Sequence, residues 1–211
     1  NIILGFEALY TADGGESDNV IIGKHAGYYI NDDSADGNVI IGNDAAQGGA
    51  ADISSCVVIG KNAMLATGNN AMKGGATTGD NNIAIGASAG DALTSGINNI
   101  LMGTDAGGAI TTGGSNVIIG TEAGDGFTAN TTMTLIGYQA GTTINSNNAN
   151  GTVAVGYLSL GALTGGAENT ALGSRSGDAA TNASGSVFLG FDAGGTVTTG
   201  NRNIAIGLDA M

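Results

Sequence analysis

The chain has 211 residues, a formal net charge of −13 at pH 7 and only five Lys or Arg residues. Nucleic acids and anionic membranes are bound through basic surfaces, so this charge argues against both as partners. Forty glycines without a single proline, together with 42% hydrophobic residues in a regular pattern, exclude collagen, a Pro/Gly linker and a disordered chain. No apolar run reaches the roughly 18 residues of a membrane-spanning helix.

A short motif recurs twelve times from one end of the chain to the other. Each copy ends in a glycine preceded by three mostly apolar residues, and we call this glycine the marker of its repeat. Six of the eleven intervals between markers are 17 residues long, and the longest is 26. A fixed short period indicates a solenoid. The markers are Gly5, Gly23, Gly42, Gly60, Gly86, Gly103, Gly120, Gly137, Gly156, Gly173, Gly190 and Gly207.

The three residues before each marker predict a short β-strand. Segments such as Val20–Ile22 and Val117–Ile119 are rich in β-branched residues, are bounded by Asn and Gly, and are too short for a helix. We predict an all-β protein, a parallel β-solenoid or β-roll of about twelve 17-residue turns. It forms one elongated repeat domain over residues 1–211 with an irregular insertion at 64–80, and we expect it to be a segment of a longer protein.

The two faces of these strands differ in their residues. The positions three and one before the marker are nearly always Val, Ile or Leu, whereas the middle position varies in size. A column that is apolar but variable in volume suits an interface between chains, so we predict an oligomer that meets at the middle position. The predicted interface residues are Ile21, Ile40, Val58, Ala84, Leu101, Ile118, Leu135, Ala154, Phe188 and Ala205.

Asparagine stands four residues before the marker in eight of the twelve copies. Stacked once per turn, these amides predict a hydrogen-bonded ladder along the axis. The alternative is that asparagine tolerates a turn conformation at this position. The residues concerned include Asn19, Asn38, Asn82, Asn99, Asn116, Asn169 and Asn203.

The residues after the marker predict a corner and a second strand. The third residue after the marker is always small, as at Ala26 and Ala106, and seven copies add a glycine directly after it. An apolar residue follows seven places after the marker, commonly with a threonine behind it, as in Leu93-Thr94. We interpret this pair as a second, shorter strand.

Two irregular segments are candidates for binding. The acidic residues Asp32, Asp33 and Asp36 could hold Ca²⁺, although a solvated turn is the common meaning of such a run and no EF-hand pattern is present. Insertions in solenoids project from one face, so the 64–80 insertion is a candidate binding loop. Its candidate residues are Met64, Asn69, Asn70, Met72 and Lys73, and the alternative is a neutral surface loop.

Residues for catalysis are scarce. The single histidine, His25, falls on a corner, and the single cysteine, Cys56, occupies an asparagine position of the repeat, where we expect a structural role. Neither a Ser-His-Asp nor a Cys-His arrangement is indicated, and zinc would need three or four clustered ligands. We therefore expect no enzyme activity and no cofactor.

The segments Val39-Ile40-Ile41-Gly42 and Ile204-Ala205-Ile206-Gly207, each with a small residue three places further on, resemble known repeats. They are similar to the head repeats of trimeric autotransporter adhesins and to related β-solenoid repeats of bacteriophage tail fibres. The resemblance implies a left-handed β-roll, a homotrimer about a common axis, and exposure on a cell surface or virion. It also implies binding to matrix, a glycan or a host-surface receptor.

The expected function is that of a non-enzymatic extracellular fibre segment for adhesion or host-receptor attachment. One alternative is a self-assembling filament or sheath built by end-to-end stacking of solenoids. A minor alternative is ice binding, suggested by the threonine column. The expected partners are other copies of the chain, as a homotrimer or filament, and a glycan or surface receptor.

Overall fold

The computed structural model describes residues 1–12, 14–30, 35–47, 53–64, 79–146 and 148–211. This part of the chain forms a single parallel sheet of twelve three-residue strands in chain order, which confirms the predicted parallel β-solenoid. None of the described residues belongs to a helix that could cross a lipid bilayer. The strands are β1 (Ile2–Leu4), β2 (Val20–Ile22), β3 (Val39–Ile41), β4 (Val57–Ile59), β5 (Ile83–Ile85), β6 (Ile100–Met102), β7 (Val117–Ile119), β8 (Thr134–Ile136), β9 (Val153–Val155), β10 (Thr170–Leu172), β11 (Val187–Leu189) and β12 (Ile204–Ile206).

Consecutive strands pair in the register of the sequence repeat. Val117–Ile119 in β7 pairs residue for residue with Thr134–Ile136 in β8. The same register holds across the 26-residue interval, where Val57–Ile59 pairs with Ile83–Ile85. Extra residues between markers are therefore accommodated outside the sheet. We call each repeat a coil and number the coils by their strands.

Each coil turns through three residues with left-handed backbone conformation. They stand five residues before the marker, two after it and four after it. In coil 7 these are Ser115, Glu122 and Gly124, with φ of 60°, 56° and 55°. A left-handed non-glycine residue costs roughly 1–2 kcal/mol, so the stacking of coils must offset this cost in every repeat.

The marker glycine is required by the contact between neighbouring coils. A Cβ atom on Gly120 would lie 2.3 Å from the carbonyl oxygen of Gly137 in the next coil, and the backbone φ is +136°. No L-residue fits a backbone atom at that distance, and this φ favours glycine as well. The strict recurrence of the marker therefore follows from the close stacking of the coils.

Three columns of side chains fill the interior. They come from the middle residue of each strand, the small residue three after the marker and the apolar residue seven after it. In coil 6 these are Leu101, Ala106 and Ile110, all fully buried. The positions three and seven after the marker are thus buried together with the middle strand position, and the three columns form one narrow core of aliphatic and aromatic groups.

Large and small residues compensate for one another inside this core. The ring of Phe188 lies against Gly177 and Gly194, where an added Cβ atom would come within 2.6 Å and 2.3 Å of ring atoms. Where the residue four after the marker is not glycine, its side chain fills the interior instead, as Leu160 does in a coil whose middle strand residue is Ala154. The size variation of the middle column therefore reflects packing within one chain.

Asparagine side chains form a hydrogen-bonded ladder inside the solenoid. The Asn99 backbone N–H donates to Asn82 Oδ1 at 2.9 Å, and the Asn116 N–H donates to Asn99 Oδ1 at 3.1 Å. Each side-chain amide also donates forward, as Asn99 Nδ2 does to the Gly113 carbonyl at 2.9 Å. These asparagines are fully buried, so the ladder satisfies polar groups that would otherwise be costly.

Other residues interrupt this ladder at defined places. The Cys56 N–H donates to Asn38 Oδ1 at 3.0 Å, so the backbone of Cys56 continues the ladder while its side chain replaces an amide. Met133 likewise donates its N–H to Asn116 Oδ1. In the next coil the buried hydroxyl of Thr152 and the nearby buried Oδ1 of Asn130 have no hydrogen-bond partner among the described residues.

The predicted second strand is wrong for the described residues. Its place is taken by backbone hydrogen bonds between coils, with isolated parallel bridges from Gly165 to Asn182 and from Asn182 to Thr199. The left-handed residues on either side of each corner leave too little extended chain for a ladder. The threonines of this region bond along the axis, as in the 2.9 Å contact from Thr94 Oγ1 to the Thr111 carbonyl.

Candidate functional site

The outer face of the sheet is a continuous apolar surface. The residues three and one before the marker point away from the interior, and from β2 onwards most are half-buried. Several are more exposed, such as Leu172 at 47% and Leu189 at 39%. All flanking residues of β1 to β12 are aliphatic except Thr134 and Thr170.

The predicted interface residues lie on the opposite face and point into the core. Ile21, Leu101 and Phe188 are fully buried, and Ala205 is 2% exposed, so their side chains cannot meet another chain. In a three-residue strand the middle side chain points to the face opposite its two neighbours. The prediction that the middle strand positions form the interface is therefore wrong for all ten residues, which belong to the core. They are Ile21, Ile40, Val58, Ala84, Leu101, Ile118, Leu135, Ala154, Phe188 and Ala205.

The outer face is long enough for a specific interface. Eleven spacings between its twelve strands, at about 4.8 Å each, give a length of about 53 Å, and three residues give a width of about 10 Å. Two such faces in contact would bury roughly 1,000 Å², the lower bound for a stable protein–protein contact. Side-chain relief and the neighbouring column increase this area.

Aromatic residues extend the outer face along one border. The residue directly after the marker is Tyr138, Tyr157 or Phe191 in coils 8, 9 and 11, and each is about half exposed. Tyr138 and Tyr157 stack with ring centroids 5.6 Å apart and an interplanar angle of 11°. The C-terminal third of the face therefore has a border of large apolar groups.

Charged groups lie at the corner two residues after the marker. His25 lies between two carboxylates, with Nε2 3.3 Å from Glu7 Oε2 and Nδ1 3.0 Å from Asp44 Oδ1. Further along this column Arg175 Nη2 lies 3.6 Å from Asp192 Oδ2. Several acids of this column are therefore partnered between coils.

A second group of acids surrounds Gly108. A Cβ atom on this glycine would lie 2.7 Å from Asp125 Oδ1 and 3.5 Å from Asp91 Oδ1, so both carboxylates reach over it. Partial burial raises the pKa of both, and the negative charge of Asp105 raises them further. Within the described ranges no group of three or more His, Cys, Asp or Glu residues has the geometry to hold a metal ion.

The predicted calcium residues are only partly described. Asp32 and Asp33 lie outside the described residues. Asp36 is described, and its Oδ1 accepts hydrogen bonds from the Ser17 N–H at 2.6 Å and the Ser17 hydroxyl at 3.0 Å. This carboxylate therefore bonds to the preceding coil.

The candidate binding loop also falls largely outside the described residues, which exclude Asn69, Asn70, Met72 and Lys73. Met64 is described and is only 7% exposed. Its φ is 49°, and its N–H donates to the Ala89 carbonyl at 3.0 Å. Met64 is therefore a corner residue that packs into the core, which corrects its assignment to a binding loop.

Cys56 has the environment of a structural residue. Its side chain is fully buried, and Sγ lies 3.3 Å from the Gly79 carbonyl oxygen. Burial raises the pKa of the thiol, which disfavours the reactive thiolate.

A polar groove runs along the side of coils 8 to 12. One part has a volume of about 420 Å³ and is lined by Asn145, Asn148, Thr164 and Asn182 among others. A second concave region of about 240 Å³ shares Ser184 with the first and is also lined by Glu168, Asn201 and Arg202. Two features of the sequence could have indicated this groove. The interval from Gly137 to Gly156 is two residues longer than the next one, and glycines at 165 and 166 leave part of the surface without side chains.

Comparison of the chain with protein-family models, with curated proteins and with solved structures finds no match. The functional argument therefore depends on the surfaces of the solenoid itself.

Proposed function

We propose that this chain is a non-enzymatic segment of an extracellular fibre, displayed on a cell or virion, that serves adhesion or receptor attachment. Its copies associate through the outer face of the sheet, and a homotrimer is the assembly that the sequence resemblance favours. The single observation that carries the proposal is the uncharged, predominantly apolar outer face on a chain of net charge −13.

Charge supports self-association at this face. Copies with the same net charge repel each other, so they can pack closely only where their surfaces are uncharged. The corner acids, such as Glu122 and Asp192, lie beyond the border of the outer face, and the flanking strand positions contain no ionisable residue. Burial of apolar surface then provides the driving force, at roughly 25 cal/mol per Å².

The shape supports a role in a fibre. The coils stack in one direction with a constant register, so the part of the chain that the structure describes forms a rod. Ice binding is less well supported, because threonine hydroxyls such as those of Thr94, Thr111 and Thr181 donate to carbonyl oxygens of the next coil. These hydroxyls are part of the internal bonding of the solenoid.

Introduction of negative charge at the centre of the outer face tests the proposal. Met102→Glu combined with Ile119→Glu places two carboxylates in the face, whereas Thr112→Glu with Thr128→Glu makes the same charge change on the polar side. Sedimentation equilibrium should give a multiple of 20.3 kDa for the wild type and the control. It should give 20.3 kDa for the outer-face variant.

Three results of this experiment have different meanings. A wild type that sediments as a single chain over the accessible concentration range contradicts the proposal. Equal dissociation of both variants shows that net charge, and not the outer face, controls assembly. Growth of the wild type without limit supports a filament over a homotrimer.

A further inference from the structure

The polar groove is formed where one coil is longer than its neighbours. The interval from Gly137 to Gly156 is 19 residues, two more than the next interval. Asn145 and Asn148 of this longer coil line the groove together with the glycines at 165 and 166, which present no side chains. A Cβ atom on Gly165 would lie 3.4 Å from Ser146 Cβ and 3.8 Å from Asn182 Oδ1. The groove therefore has room for a ligand atom beside Gly165.

The groove has amide groups that are available for a ligand. The side chains of Asn145, Asn148 and Asn182 are exposed and make no hydrogen bond to another described residue. The buried ladder asparagines, in contrast, use both ends of their amides. An amide offers two donors and an acceptor, which complements neighbouring hydroxyl groups of a sugar.

The far end of the groove carries an arginine without a partner. Arg202 is exposed and forms no ion pair with any described carboxylate, although Glu168 lines the same part of the groove. The other described arginine, Arg175, donates from Nε to Asp178 Oδ2 at 2.9 Å. The chain has eighteen acidic residues, yet the guanidinium of Arg202 pairs with no described carboxylate, so it is free to bind the anionic group of a ligand.

We propose that this groove binds an oligosaccharide that carries one carboxylate. The amides of Asn145, Asn148 and Asn182 contact its hydroxyl groups, and Arg202 binds the carboxylate through paired N–H donors. A single arginine balances a single negative charge, and the acidic surface elsewhere repels more highly charged ligands. This inference rests on the proposed attachment function and names the ligand class of that function.

Calorimetry with small acidic sugars tests the assignment. The probes are sialyllactose and cellobiouronic acid, each compared with its methyl ester, which carries no charge and is larger by one methyl group. Arg202→Gln should weaken binding of both acids by about tenfold and leave the esters unchanged. Arg175→Gln makes the same charge change outside the groove and should have no effect.

A steric variant tests the location of the site independently of charge. Gly165→Ala places a methyl group in the groove at ordinary contact distances and without a positive φ, so the fold should tolerate it. It should weaken binding of acids and esters alike. The inference is overturned if neither acid binds to the wild type. It is also overturned if the Arg202→Gln and Arg175→Gln variants lose binding to the same extent. The sedimentation experiment on the outer face is unaffected by either result, so the two proposals fail separately.

Discussion

The inner and outer faces of the sheet have the same kind of residue in opposite environments. Ile118 is fully buried in the core, whereas its neighbours Val117 and Ile119 remain half-exposed on the outside. The inner column varies from Ala to Phe because other core positions adjust to it, whereas the outer columns are nearly uniform in size. Uniform size therefore marks the surface that is flat and exposed, and variable size marks the packed interior.

The largest effect should come from the contact that sets the distance between coils. Gly120→Ala places a methyl group 2.3 Å from the Gly137 carbonyl oxygen and should cost more than about 4 kcal/mol in the free energy of unfolding. Urea denaturation at a fixed protein concentration measures this cost. Gly165→Ala is the matched control, and a similar loss in both variants would show that close stacking is not the reason for the marker.

Truncation on the two sides of one strand should distinguish the faces. Phe188→Ala removes a fully buried ring and should cost about 3 kcal/mol, because the glycines around it cannot fill the cavity. Leu189→Ala, next to it on the outer face, should cost less than about 1 kcal/mol when measured on dissociated chains. Equal costs in thermal denaturation would contradict the assignment of the inner and outer columns.

The asparagine ladder should respond in opposite directions in its intact and interrupted parts. Asn99→Ala leaves the Asn116 N–H without its acceptor and removes one of the two acceptors of Asn116 Nδ2, so it should cost about 2 kcal/mol. Thr152→Val replaces a buried hydroxyl that has no described partner and should gain up to about 1 kcal/mol. Denaturant midpoints check both, and a loss in Thr152→Val would mean that its hydroxyl is bonded.

The smallest effect should be a dependence on pH. The pKa values of Asp91 and Asp125 are raised above their ordinary value of 3.8, so the folded chain binds these protons more tightly than the unfolded chain. This contribution to stability is complete below that value and is lost as pH rises through the folded pKa values. Asp91→Asn with Asp125→Asn should therefore raise the melting temperature at pH 7 and have little effect at pH 3.

The repeat sequence predicts the strands, their parallel order and their register, because the marker, the apolar triplet and the asparagine position recur together. It does not reveal which face is inside, since both faces are aliphatic and alternation allows either choice. The sequence predicts a corner after the marker but not its backbone conformation: His25, Leu158 and Arg175 are left-handed without being glycine or asparagine. Their conformation depends on bonds between coils and not on residue type. One signal for the inner column was present in the sequence. Leu160 stands where most coils have glycine, and the same coil has the small Ala154 at its middle strand position, so the two positions share one interior volume.

Cross-linking at the centre of the sheet tests the central claim most directly. β6 and β7 are the two middle strands, so in copies that overlap fully β6 meets β6 when the copies run parallel and β7 when they run antiparallel. In a Cys56→Ser background, Met102→Cys or Ile119→Cys should give covalently joined copies with a short bis-maleimide, whereas Thr112→Cys on the polar side should give single labelled chains. Efficient labelling of all three cysteines without joined copies, or equal joining at Thr112→Cys, would contradict an interface on the outer face.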